Sequence, residues 1–100
     1  MADVITPAIL KEFKDRMHLD DGEDENLLRI LRASNEDLVK ICGEHDIVNE
    51  RFKELVFERS RYAYNDALEY FYTNFLTQIN NLNLDKVLEA IVIEGDSNAG

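Results

Sequence analysis

Six of the chain's nine aromatic residues (Tyr62, Tyr64, Tyr70, Phe71, Tyr72 and Phe75) fall inside residues 59–79, RSRYAYNDALEYFYTNFLTQI. Within that stretch Leu68, Phe71, Tyr72, Phe75, Leu76 and Ile79 recur at three- and four-residue steps, which places them on one face of an α-helix. Asp66 precedes the run, with Glu69 three residues later. That spacing predicts a capping box at Asn65–Asp66, where one helix ends and another begins. Large rings each bury a large area, so truncating Phe71 or Phe75 should cost ~3–5 kcal/mol. A domain of this size holds only ~5–15 kcal/mol in total. The aromatic segment is expected to be the main contributor to the core.

The rest of the chain carries equally local signals. Thr6-Pro7 opens a first helix to about Met17, with Thr as N-cap and Pro at the position where a missing N–H is harmless. Ile5 and Leu10 have hydrophobic-staple spacing, and Ile9, Leu10, Phe13 and Met17 form the stripe. His18 then stands near the helix C-terminus as a solvated or capping residue. A second helix is predicted over 25–42, with Leu27, Leu28, Leu31, Ser34, Leu38, Ile41 and Cys42 inward and Gly43 ending it. Ser34-Asn35 is a candidate kink, since both side chains compete for backbone hydrogen bonds. His45 lies in the connection to Asn49, the N-cap of a third helix over 50–65. Phe52, Leu55, Val56 and Ala63 face inward there, with Arg59 and Ser60 interrupting the stripe. A fourth helix over 66–81 ends at Asn80-Asn81. The expected fold is all-α: a small bundle of about four helices (residues 1–82) with an extended or partly helical C-terminal tail (residues 83–100).

One hundred residues with 45% hydrophobic content make one small domain able to bury a core without staples. Cys42 is the only cysteine, which fits a reducing compartment and excludes an internal disulfide. MADVITPAIL has no basic region ahead of an apolar core, and no apolar run approaches ~20 residues. Neither secretion nor membrane insertion is expected. Twenty-one acids against eleven bases leave a net charge of −10. Nucleic-acid affinity is carried mostly by bases neutralising phosphates, so tight DNA or RNA binding is not expected.

Residues 20–25, DDGEDE, suggest a calcium loop at first sight. With Gly22 as the loop glycine, positions one, three, five and twelve become Met17, Leu19, Asp21 and Leu28. Three of those cannot ligate through their side chains, so the motif fails. A polar loop feeding the acidic first turn of a helix accounts for it better. There is no phosphate-binding glycine loop, no GxSxG and no HExxH, and the two histidines lie in or near polar connections. No catalytic, cofactor or metal residue is assigned, and no enzyme is expected. Arg59, Arg61, Tyr62 and Tyr64 have two open readings: ion pairs and packing inside the chain, or contacts with a second copy.

The segments DENLLRILRASNEDLVKICG and LVFERSRYAYNDALEYFYTNFLTQINNLNL, behind a short first helix and an acidic turn, carry a likeness across residues 6–84. ERSRYAYNDALEYFYTNF is its most specific part. The chain resembles the head–tail connector (adaptor) proteins of long-tailed bacteriophages of Gram-positive hosts. The resemblance implies a structural virion protein, assembled in the host cytoplasm. It implies a homo-oligomeric ring, usually dodecameric, under the portal protein. Such a ring extends the DNA channel without binding DNA specifically and offers a platform to a stopper or tail-completion protein. No cofactor and no membrane are involved. The competing class is a cytosolic helical protein-binding module or small regulator.

Leu84, Val87, Leu88, Ile91, Val92 and Ile93 are too apolar for a free tail and too β-branched for a stable isolated helix. They are expected to dock on another chain, the portal in the resembled family, as a helix in a groove or a strand on a sheet edge. The alternative is a fifth helix folding back to close the core.

Overall fold

A computed structural model describes residues 4–99, with residue 90 and residues 92–99 described by backbone alone. The described chain is mostly helical and contains no strand. Helix α1 spans Pro7–Met17, a 3-10 turn spans Asp21–Glu23, α2 spans Asp24–Cys42 and α3 spans Glu50–Tyr64. A second 3-10 turn, Leu68–Tyr70, leads into the one-turn helix α4, Phe71–Asn74, and then into α5, Leu76–Ala99.

The first three helices begin and end for reasons visible in their termini. Thr6 Oγ1 accepts from the Ile9 amide at 3.2 Å, and Ile5 and Leu10 are both buried, as their staple spacing predicts. Asn49 Oδ1 accepts from the Phe52 amide at 3.1 Å. Helix α1 ends with His18 in the left-handed region (φ 58°). The His18 and Leu19 amides return to the carbonyls of Asp15 and Lys14 at 3.3 and 2.9 Å. This is a Schellman closure, with histidine where glycine is usual. Gly43 closes α2 at φ 87°, and a Cβ there would lie 3.0 Å from Lys86 Cγ of α5. Glycine at this place meets both a backbone and a space requirement.

The core joins α1, α2, α3 and the α4–α5 segment. Phe13, Leu27, Leu31, Leu38, Phe52, Leu55, Val56, Phe71 and Leu82 are fully buried. Phe71 stacks on Phe75 with ring centroids 5.1 Å apart, and Tyr62 stands edge-on to both at 5.8 Å.

Several sequence expectations need correction. The fourth helix over 66–81 is not one helix, and Asp66 does not cap it. Asp66 is instead the left-handed residue (φ 56°) that closes α3, with the Asp66 and Ala67 amides bonded to the Ala63 and Tyr62 carbonyls. Once Asp66 is used to end α3, the next residues make a 3-10 turn, and the path bends again at Phe75 (φ −115°, ψ 18°). The bend sets Phe71 into the core while Tyr72 reaches Asp37 and Arg59. Leu76, expected inward, is 55% exposed as a result.

Asn80-Asn81 does not end a helix either. Helix α5 runs through both, because Ile79 and Leu82 are buried against the bundle on one side of it. Tertiary packing outweighs the weak helix preference of asparagine. The bundle therefore has five α-helical segments, one of them a single turn, and the tail, expected to be extended or partly helical, is helical through Ala99. On α2, Leu28 is half-buried and Ile41 is exposed, while on α3 Ala63 is half-buried. Ser60, expected to interrupt the α3 stripe, is fully buried in it, as are Phe57 and Glu58 nearly so.

Candidate functional site

A buried polar cluster ties α2, α3 and α4 together. Ser60 Oγ donates to Ser34 Oγ at 2.9 Å. Arg59 donates through Nη1 to Ser34 Oγ at 3.1 Å and through Nε to Tyr72 Oη at 3.0 Å. Asp37 Oδ2 lies 3.3 Å from Arg59 Nε and accepts a hydrogen bond from Tyr72 Oη. Burial, and then the hydrogen bond to Asp37, raise the Tyr72 phenol above its ordinary value, against the opposing pull of Arg59. Every buried side-chain donor and acceptor among the described residues has a partner. A fully satisfied network of this kind rigidifies a core. It has no unused polar atom aimed at a ligand.

The other residues singled out in the third helix are also engaged inside the chain. Arg61 forms two bonds to Glu58, at 2.7 and 3.2 Å, and lies 5.0 Å from the centre of the Tyr62 ring. Glu58 accepts from Arg16 as well, at 2.9 Å, and Arg16 forks onto Glu54 at 2.5 and 2.7 Å. Tyr62 Oη accepts from Asn74 Nδ2 at 3.0 Å, and Tyr64 Oη donates to Glu23 at 2.6 Å. Of the two readings open for Arg59, Arg61, Tyr62 and Tyr64, these contacts are the intramolecular one.

Lys14 of α1 holds the acidic turn. Lys14 Nζ bonds both Asp21 and Asp24, the latter at 2.8 Å, and no group of residues suited to a metal occurs among those described. His45 stacks on Phe52 at 5.4 Å and its Nε2 lies 3.1 Å from the Cys42 carbonyl oxygen. Cys42 is fully buried, and burial pushes its thiol up to about 11.

The surface feature that the bundle leaves open is on α5. Ile79 and Leu82 face the core, whereas Leu84, Val87, Leu88 and Ile91 are each about half exposed, from 46% to 55%. Their i, i+3, i+4, i+7 spacing puts them in one stripe, on the opposite side of the helix from Leu82. Helix α5 thus has two apolar sides, and only one is covered. Val92 and Ile93, the remaining residues expected to dock, have side chains outside the described set. A helix apolar on both sides is normally sandwiched, and here the outer stripe lies open to solvent. The spacing of apolar residues in the tail already marked the stripe. Its position opposite the packed side could come only from the fold.

No helix among the described residues is long and apolar enough to cross a membrane. The chain matches no protein-family model, no curated protein and no solved structure.

Proposed function

We propose that the chain is a structural virion protein, a head–tail connector. It forms a homo-oligomeric ring beneath a portal protein, extends the DNA channel and presents a platform for a stopper or tail-completion protein. The observation that carries this reading is the outward stripe Leu84, Val87, Leu88 and Ile91 on a helix already anchored by Ile79 and Leu82. It is an exposed apolar surface on an otherwise highly charged protein, held in place by a rigid bundle. The resemblance of residues 6–84 to connector proteins supports the same reading. So does the net charge of −10, which keeps a wall beside passing DNA from adsorbing phosphates. In this role the chain carries out no chemistry. Residues 84–93 dock on the portal as a helix in an apolar groove, while the inner side of α5 stays on its own bundle.

The test is attachment to the cognate portal. Leu88→Glu with Ile91→Glu changes only exposed positions, so the thermal midpoint should stay within a few degrees of the parent. Co-sedimentation with portal rings should be lost. Portal attachment equal to the parent's would defeat the proposal. A discrete one-to-one complex with a soluble partner, and no affinity for portal, would favour the small binding module instead.

A further inference from the structure

The bases of α1, α3 and α5 all form ion pairs with acids of their own chain. Helix α2 is different. Arg29 and Lys40 have no acidic partner among the described residues. Both lie on the side of α2 turned away from buried Leu27, Leu31 and Leu38, in register with Ala33 and Glu36. Around Arg29, and ending one turn short of Lys40, is a shallow concavity of about 470 Å³ lined by Leu28, Ala33, Arg29 and Arg32, with Glu25 and Glu36 also on its wall.

A surface of complementary character occurs elsewhere on the chain. The turn that closes α3 presents Asp66 and Glu69, both exposed and without ion-pair or hydrogen-bond partners for their carboxylates among the described residues. Beside them Tyr70 is 60% exposed, the most open aromatic ring in the described chain. The other aromatics of residues 59–79 are packed or half-packed, so Tyr70 is the exception within the segment that builds the core.

We propose that Tyr70 and Glu69 of one copy dock on the α2 concavity of a second copy. The Tyr70 ring packs over Leu28 and Ala33 beside the Arg29 guanidinium, and Glu69 and Asp66 pair with Arg29 and Lys40. This rests on the reading of the chain as a ring-former, and it places the contact between neighbours away from Arg59 and Arg61. The occupant follows from charge. Two bodies of net charge −10 repel, and a contact that brings one copy's unpaired bases onto the other's unpaired acids offsets that repulsion. An arginine over an aromatic ring adds attraction of its own. The two surfaces differ, so the contact is head-to-tail, and repeating it yields a closed ring or an open filament instead of a symmetric dimer.

The experiment is a charge swap on the full chain, read by sedimentation velocity over a range of protein concentrations at low and at physiological salt. The parent should associate, with affinity falling as salt rises. Arg29→Glu and Glu69→Lys should each weaken association by about tenfold or more, leaving the helical spectrum and thermal midpoint intact. An equal mixture of the two variants should recover it, because each reversed surface then meets its complement. Tyr70→Ala should weaken association without changing its salt dependence. Association that survives both reversals overturns this assignment while leaving the connector proposal standing on portal attachment. A parent that stays monomeric at every concentration overturns the assignment too, and joined to absence of portal attachment it removes both. Capture of duplex DNA by the parent, abolished by Arg29→Glu and without self-association, overturns it in favour of a phosphate-binding surface.

Discussion

Ser60 Oγ donates to Ser34 Oγ across 2.9 Å in the interface between α2 and α3, where both serines have no solvent exposure. Ser34 also accepts from Arg59, so one hydroxyl oxygen serves two donors from the neighbouring helix. Removing Ser34 leaves a buried hydroxyl and a guanidinium N–H without their acceptor. Ser34→Ala is therefore expected to destabilise the fold by ~1–3 kcal/mol, read from urea unfolding. Adding Ser60→Ala to it should cost less than the sum of the single changes, because the donor left unpaired is then gone. Strict additivity would show that the serines do not act as a pair.

Two helices end on non-glycine residues held at positive φ, His18 at 58° and Asp66 at 56°. L-residues pay roughly 1–2 kcal/mol in this region, and glycine does not. His18→Gly and Asp66→Gly should each raise the thermal midpoint, by up to about 1 kcal/mol in stability after glycine's greater unfolded entropy is set against the relief. A lower midpoint for Asp66→Gly would mean that the carboxylate contributes more than its backbone costs.

The reverse substitution is expected to hurt at Gly43. Its φ of 87° disfavours any Cβ, and the added atom would meet Lys86 Cγ at 3.0 Å. The lysine chain can shift, so the backbone is the larger part of the cost. Gly43→Ala should destabilise by about 1–2 kcal/mol, measured by calorimetry.

Arg16 forks onto Glu54, and that hydrogen bond holds the Glu54 carboxyl below its ordinary value of 4.5. A carboxylate whose folded-state pKa is depressed contributes stability above its unfolded value and loses it as pH falls through the folded one. Arg16→Met should therefore be less stable than the parent at neutral pH, with the gap narrowing as pH drops below about 4.5. The Arg16–Glu54 pair is partly exposed, so its share of the gap should be no more than about 1 kcal/mol. A gap independent of pH would assign the loss to Arg16 packing on Phe57, whose ring centre lies 5.7 Å from the guanidinium carbon.

The parent chain should also show no binding to duplex DNA at physiological salt, by fluorescence anisotropy. Its surface acids outnumber its bases, and most bases are neutralised internally. A salt-sensitive micromolar complex would contradict this.

Local chemistry alone was enough to place α1, α2 and α3, because their boundaries are written within a few residues: the Thr6 and Asn49 side chains bond the amides of Ile9 and Phe52, and Gly43 supplies the positive φ that ends α2. The all-helical class and most of the buried face of each helix follow from spacing for the same reason. What happens after Asn65 was decided elsewhere. Asp66 and Glu69 form a plausible cap, and Asn80-Asn81 a plausible stop, yet neither acts that way. Asp66 closes the preceding helix, Tyr72 is drawn to Asp37 and Arg59 some 35 and 13 residues away in sequence, and Leu82 is buried on the bundle, carrying α5 past the asparagines. Such contacts each exceed the few tenths of a kcal/mol by which local preferences differ. The exposed apolar stripe shares that division. Its apolar residues can be read directly from the chain, but only the packing of Ile79 and Leu82 turns Leu84, Val87, Leu88 and Ile91 outward, because a helix rotated by its buried residues has no freedom left to hide the opposite side.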